Sequence, residues 1–514
     1  MRGTAEAQAH VWDADVLCGE LIEEEGFLAT LGRARGTLFT DADFDRLYPS
    51  ARGRPSHPPS VLLALLLAQL FYGVSDREAE RRSRVDLSWK AALGLPLTHR
   101  GIPHVCLAEF RARLLRAGME GFLHTKLLEL AAEAGVVGRT RAVDSTGVRD
   151  SVVTQDTVTL IRQALRRCVH RLQEIAPDRA EALRRRLHRN DYEAQGKPQI
   201  LWSDAEARAG LLAELFSDAQ ETIETCGAQS DTELGAAALL LAAVAGQDLQ
   251  VEEDGQGRQS VSIRRGVAPE RIISVVDPEA RHGHRSRQDR YDGYKVHLSV
   301  DLDSDLITAA EASMATAPDG EALPRLLDED PVVVTEVLAD TAYGSGAIRQ
   351  ELAIREIELI APAPPAVAPG GRFTKADFTI DLQAGTATCP AGHTVSPRRY
   401  RTGRHRPRRV QFRFPAELCA ACPLRRSCTT SSRGRTVEVG PHEALLQQAR
   451  ADRWTEAFRH RYRERARVER KAAQVKFRSP KIPWRGLTKA MAWTKLKAAA
   501  LNLDRMGRLG LVPV

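Results

Sequence analysis

The sequence predicts an α/β fold: a mixed sheet joined in one chain to helical domains. Three observations carry that expectation. β-Branched stretches bounded by turn residues recur from Ile272 to Ala361. One further strand signal, Arg139–Val148, stands alone ahead of a helical block, and helical periodicity dominates before and after the strands. At 514 residues the chain is long enough for more than one domain with ample buried core.

Residues 1–135 are expected to form a helical domain serving DNA binding or dimerisation. The apolar run Val61–Leu70, continuing to Val74, follows Pro58 and Pro59, a placement that suits a helix start. The run is too short to span a bilayer and reads as a buried helix, so no membrane role is expected. Ser75 and Glu78 have the spacing of a capping box that opens the charged helix Asp76–Arg84. Phe110, Leu114 and Leu115 recur at helical spacing within Leu107–Ala134. The N-terminus lacks a signal-peptide core, which makes a cytoplasmic protein the expectation.

A core is expected over residues 136–361. Its first strand carries Asp144 partway along, and aspartate is a poor strand former, so its presence there asks for a reason. Helices intervene at Val158–Ile175, Asp178–Arg189, Asp204–Thr225 and Thr232–Ala245, and the acidic, glycine-containing Glu252–Gln259 closes a block that reads as an insertion over about residues 155–255. Strands resume at Ile272–Asp277, Tyr294–Asp301 and Leu306–Ser313, and Glu321–Leu327 reads as a short helix. Pro331–Asp340 is an apolar strand that ends in an acid before a glycine turn, the rim position where ligands of open sheets collect. A helix, Ala347–Arg355, and a strand, Glu358–Ala361, complete the core.

Residues 362–440 are rich in Pro, Gly, Arg and Thr and hold Cys389, Cys419, Cys422 and Cys428. Four sulfurs that include a Cys-x2-Cys pair can satisfy a tetrahedral Zn²⁺, and His393 can replace Cys389 or Cys428. In a reducing compartment such a cluster suggests metal rather than disulfides, so a zinc-ribbon-like insertion is expected. A set of buried free thiols would show the same pattern.

Residues 441–514 are expected to supply one long helix, Glu443–Arg478, and a basic last helix, Leu487–Met506. Between Arg459 and Arg508 the basic residues heavily outnumber Glu464, Glu469 and Asp504, and Arg398–Arg409 is also arginine-rich. Such local excess suits nucleic acid ahead of a membrane surface, while the overall charge of +7 argues against a pure packaging protein. Within the long helix Tyr462, Arg465, Glu469 and Lys476 are separated by three, four and seven residues, which puts them on one face. A carboxylate amid such a basic stripe can hold a divalent cation while its neighbours hold phosphates; a solvated helix of alternating charge has the same spacing. In the order strand, strand, strand, helix, strand, the first and last strands are commonly neighbours in a mixed sheet, which would bring Asp144 and Asp340 together with the Glu469 helix across them. Three carboxylates around two divalent ions, Mg²⁺ or Mn²⁺, form a phosphoryl-transfer site. Lys295 and His297 share one strand face, and Lys295 suits either DNA near those ions or the rim of a sheet edge.

With these residues the chain resembles the bacterial insertion-sequence transposases of the IS4/IS5-like DDE superfamily, and within it the IS1182 group. Gly53–Leu63 and Leu67–Glu78 match that family's helical N-terminal domain, Ala142–Thr146 its first acid, Leu338–Gly344 its second, and the spaced Tyr462, Arg465, Glu469 and Lys476 its Tyr-x2-Arg-x3-Glu-x6-Lys signature. The resemblance implies an RNase H-like core with Asp144, Asp340 and Glu469 as catalytic acids. It also implies Arg465 and Lys476 on the phosphates of the element's end, and Tyr462 on the terminal nucleotides. The implied reaction is metal-dependent strand cleavage at insertion-sequence ends, followed by strand transfer into target DNA. Inverted-repeat ends and target DNA are the implied partners, with a homo-oligomer forming on DNA. The long helical block after Asp144 departs from the family pattern. Two other readings stay open: a non-catalytic DNA-binding repressor on the same scaffold, and a host RNase H-like DNA nuclease with no need of inverted repeats.

Overall fold

A computed structural model describes residues 1–5, 11–22, 25–50, 52–227, 231–253, 259–286, 288–403, 406–479 and 481–512; the side chains of 259 and 398–408 are not among those described. Most of the arginine-rich Arg398–Arg409 stretch therefore lies outside the described side chains.

The sheet is built around strand β1 (Thr140–Asp150). On one side it pairs antiparallel with β2 (Arg290–Asp301), from Arg141 opposite Asp301 to Arg149 opposite Gly293. The outer edge of β2 takes β3 (Ile307–Met314) and the short strand Arg281–His284, both antiparallel. On its other side β1 pairs parallel with β4 (Glu336–Ala339), and β4 pairs parallel with β5 (Glu358–Ile360). The order β3-β2-β1-β4-β5, in which only β2 runs against the other four, is a mixed α/β sheet compatible with an RNase H-like core. Alternation along the strands serves two cores. Ala142, Leu298, Val300 and Leu338 point into one, and Val143, Ala309, Val337 and Ala339 into the other.

The first of these cores also contains the N-terminal helices. Helix α1 (Pro59–Tyr72) is apolar all round and buried from Pro59 to Leu70, as a central helix must be. Pro59 opens it, and Gly73, at φ 65°, closes it in the left-handed conformation. Ser75 caps the next helix, Asp76–Val85, through the Glu78 N–H, as its spacing predicts. Helix α2 (Phe122–Glu133) and the last helix of the chain, Leu487–Arg508, complete the layer, with Trp493, Leu496 and Leu503 buried against α1, α2 and β3. No single helix among the described residues is long and apolar enough to cross a membrane.

The helices of the insertion, Thr157–Ile175, Pro177–Arg186, Ala205–Gly227 and Thr232–Asp248, enclose a core of their own around Leu165, Leu215 and Leu241. Two expectations fail here. The acidic stretch after the last of these helices is flanked by a hairpin, Leu249–Glu253 with Gln259–Ile263. Ile272–Asp277 is not a strand: Gln247 takes the Ile272 N–H and carbonyl, and Gln155 binds Ile273 and Val275. Two glutamine side chains and the Gln155 N–H occupy groups that a strand ladder would have used.

Residues 379–439 contain two three-stranded antiparallel sheets around a small core of Phe378, Phe412, Phe414 and Val437. The expected continuous helix Glu443–Arg478 is instead three pieces. These are Glu443–Asp452, α3 (Glu456–Tyr462) and α4 (Ala466–Lys476), with a 3₁₀ turn, Arg463–Arg465, between the last two. Thr455 causes the first break, because its hydroxyl caps α3 by accepting from the Phe458 N–H.

Candidate active site

Asp144 lies mid-strand on β1. The parallel register with β4 runs from Thr140–Glu336 to Val143–Ala339, so the next residues in step are Asp144 and Asp340. Alternation aims both at the face covered by α4, whose Val468, Ala472 and Val475 are buried against β1 and β2. Asp340 also caps the turn that leaves the sheet, accepting from the Ala342 N–H at 2.9 Å. A salt bridge and a hydrogen bond fix α4 to the turn after β2: Lys471 Nζ stands 3.0 Å from Asp305, and Arg467 donates to the Leu302 carbonyl. Arg461 ties α3 to Glu336 and Thr140 at the start of the two central strands.

Arg465 sits between two of the acids. Its Nη1 donates to Asp144 Oδ2 at 3.2 Å and its Nη2 to Glu469 Oε1. Asp144 is 8% exposed, whereas the Glu469 side chain is 47% exposed. Burial pushes the Asp144 carboxyl up to about 6; Arg465 and the Ser145 N–H oppose that shift, and Asp340 and Glu469 add to it. Burial also raises Asp340, with Asp319 contributing. For Arg465, burial works against the charge and is outweighed, with Asp144 the largest opposing influence, so its pKa rises. Tyr462 stacks on Phe458 with ring centroids 5.4 Å apart, and the Arg465 guanidinium lies over the Tyr462 ring. Lys476, half-buried at the far end of α4, is lowered by burial and by Arg285 and feels Asp144 and Asp289. The structure thus brings Asp144, Asp340, Glu469, Arg465 and Tyr462 to one place, with Lys476 at its rim. The four signature residues do not lie on one straight helix, since the 3₁₀ turn falls among them.

Two family models match the chain: the transposase DDE domain over residues 388–507 and a transposase domain (DUF772) over residues 18–113. Both matches are to transposase domains, and together they support an insertion-sequence DDE transposase. The pair of domains fits the IS1182 group, a family whose work implies DNA as a partner. No curated protein matches the chain. No solved structure matches it either.

Other expected site residues stand apart from the acids. Lys295 has its ammonium 2.6 Å from Asp319 Oδ1 and 2.8 Å from the Ala317 carbonyl. Cys389, Cys419, Cys422 and Cys428 line one cavity of about 20 Å³ with His393, walled by Phe373, Phe378, Phe414 and Leu418. That is room for a single water-sized body. Burial pushes the Cys428 thiol up, and the other three sulfurs add to the shift. Asp319 and Arg461 escaped the sequence reading, because each acts through a partner distant along the chain and neither sits in a recognisable motif.

Among the described residues no group of three or more His, Cys, Asp or Glu stands arranged to hold a metal ion. At the acids the reason is visible, since Arg465 occupies the space between Asp144 and Glu469. The donor chemistry nevertheless fits. Asp340 and Glu469 both raise the Asp144 pKa, all three carboxyls act on the one Arg465 cation, and carboxylate oxygens are the donors a hard divalent ion takes. The four cysteines that line the other cavity match zinc in donor type and number, though not in arrangement.

Proposed function

We propose that this transposase cleaves the phosphodiester at the ends of its element and joins the freed 3′-hydroxyl to target DNA, on an RNase H-like core with Asp144, Asp340 and Glu469 as the acids. The observation that carries this reading is the parallel β1–β4 register running out on the two aspartates while Arg465 links the first of them to Glu469. When bound by the three carboxylates, a pair of Mg²⁺ or Mn²⁺ ions supplies Lewis acidity to the attacking and leaving oxygens of the displacement. Arg465 exchanges carboxylates for a DNA phosphate, which releases Asp144 and Glu469 as donors. Tyr462, on its Phe458 support, offers a ring to the terminal nucleotide, and Lys476 offers charge to the phosphates beyond. Lys295 reaches DNA only by exchanging Asp319 for a phosphate. Residues 1–135 serve DNA binding or dimerisation, and the working form is a cytoplasmic protein that assembles as a homo-oligomer on DNA.

Asp144→Asn is expected to abolish strand cleavage while leaving binding to the element's ends within about twofold of the parent, since the replaced group holds ions rather than DNA. Cleavage assays beside gel-shift titrations decide this; retained cleavage removes Asp144 from the mechanism. We also propose that Cys389, Cys419, Cys422 and Cys428 hold zinc. Protein purified without added metal should carry about one zinc per chain by elemental analysis. A folded, zinc-free chain would discard that site.

A further inference from the structure

We propose that Ser145, Tyr343 and His297 form a hydrogen-bonded tether across the sheet that sets Asp340 against Asp144, making Tyr343 and His297 positioning residues for the acid site; this rests on the reading above. The need for a tether follows from the register. Ladder pairing between β1 and β4 stops at Val143–Ala339, one residue before each acid, and the chain then leaves the sheet through Thr341–Tyr343. Asp340 is therefore held only by what secures that turn.

The acids face α4, and the tether lies on the opposite face. Ser145 and His297 are cross-strand partners on β1 and β2, and Tyr343 packs with Val143 and Ala339 in the core there. The Tyr343 phenol oxygen lies 3.3 Å from His297 Nδ1, and the Ser145 hydroxyl acts on the same phenol, opposing the upward pull of burial on its pKa. His297 Nε2 lies 2.8 Å from Ser313 Oγ on β3, and Ser313 Oγ lies 3.2 Å from the Met314 carbonyl.

One proton arrangement satisfies every link. A carbonyl only accepts, so Ser313 donates to Met314 and accepts from His297 Nε2–H. Nδ1 is then bare and accepts from the Tyr343 O–H, and the phenol oxygen accepts from Ser145. Burial holds the His297 pKa down to about 4, which keeps the imidazole in the neutral form that this chain of bonds requires. Tyr343 and His297 are both wholly buried. A phenol serving only to fill space would be better replaced by a phenyl ring, because burying an unpaired hydroxyl is costly. Here the hydroxyl joins the strand carrying Asp144 to the turn carrying Asp340.

The test uses the full-length chain, a supercoiled plasmid bearing the DNA that borders its gene, and Mn²⁺. Nicking is followed on gels, Mn²⁺ binding to the DNA-free protein by electron paramagnetic resonance, and folding by thermal melting. Tyr343→Phe is expected to bind Mn²⁺ and to nick about tenfold more weakly, the effect of one lost hydrogen bond. DNA affinity should be unchanged and the melting temperature within about 4 °C of the parent. His297→Asn places an amide where Nδ1 sat and should retain most of both properties, whereas His297→Gln replaces only Nε2 and should behave like Tyr343→Phe. Parental Mn²⁺ binding and nicking in Tyr343→Phe would overturn the tether. So would equal losses in the two His297 variants that track melting temperature. Asp144→Asn runs alongside: if it nicks like the parent, the acid-site reading itself fails, whatever the tether variants do.

Discussion

His124 shows how much one side chain can demand of its surroundings. It is almost wholly buried, and its Nε2 lies 2.8 Å from the Ile307 carbonyl, so that nitrogen carries the proton and donates. Burial holds its pKa down to about 4 and Lys495 acts with it, against the Ile307 hydrogen bond and Glu329. The unfolded chain takes up this proton near pH 6.5 and the folded chain only near 4. The contribution of neutral His124 to stability is therefore complete above pH 6.5 and is lost as pH falls through that window, on the order of 3 kcal/mol in all. His124→Gln keeps an N–H donor without the titration, so urea midpoints measured from pH 7 to 4 should fall less steeply in the variant than in the parent. Residues of another kind announced themselves in the sequence. Asp144 breaks a strand pattern, Asp340 ends one, and Glu469 interrupts a basic stripe. Asp319 and Tyr343 break no local rule, and only the packed sheet reveals what they hold.

Among the elements, β3 depends on a helix from the far end of the chain. The β2–β3 register slips between Ser299 and Val300, and Asn502 meets the backbone of Ile307 there. Its Oδ1 accepts the Ile307 N–H at 2.8 Å, and its Nδ2 donates to the Ile307 carbonyl at 2.8 Å. Asn502→Leu strips a buried N–H of its partner and leaves a buried carbonyl with less than its share, so the chain should lose about 2–4 kcal/mol in chemical denaturation. Most elements were legible because period and punctuation agreed, as at α1 between Pro59 and Gly73. The exceptions share a cause. Ile272–Asp277 has β-branched composition but gives its backbone to two glutamine side chains, and Thr455 diverts a helical pattern into a cap that periodicity passes over.

For the molecule as a whole, the division of apolar cores matters more than the order of segments. The N-terminal helices, one face of the sheet, α4 and the last helix share a single core, while the insertion keeps its own. Its two ends meet at a neck, where the Gln155 N–H donates to the Ile273 carbonyl at 2.9 Å and the Val275 N–H to Gln155 Oε1 at 3.1 Å. Replacing residues 157–271 with a short Gly-Ser linker should leave a chain that melts cooperatively with its strand signal in circular dichroism intact. Loss of that transition would show that the insertion supports the sheet. Removing the last helix should instead cost the whole shared core.

The neck has a consequence for kinship. Because the insertion departs and returns at one spot, it can grow, shrink or vanish without displacing either aspartate. The gap in numbering between Asp144 and Asp340 is then a poor yardstick for recognising cousins of this chain; the short parallel strands that end on the two acids are the better signature.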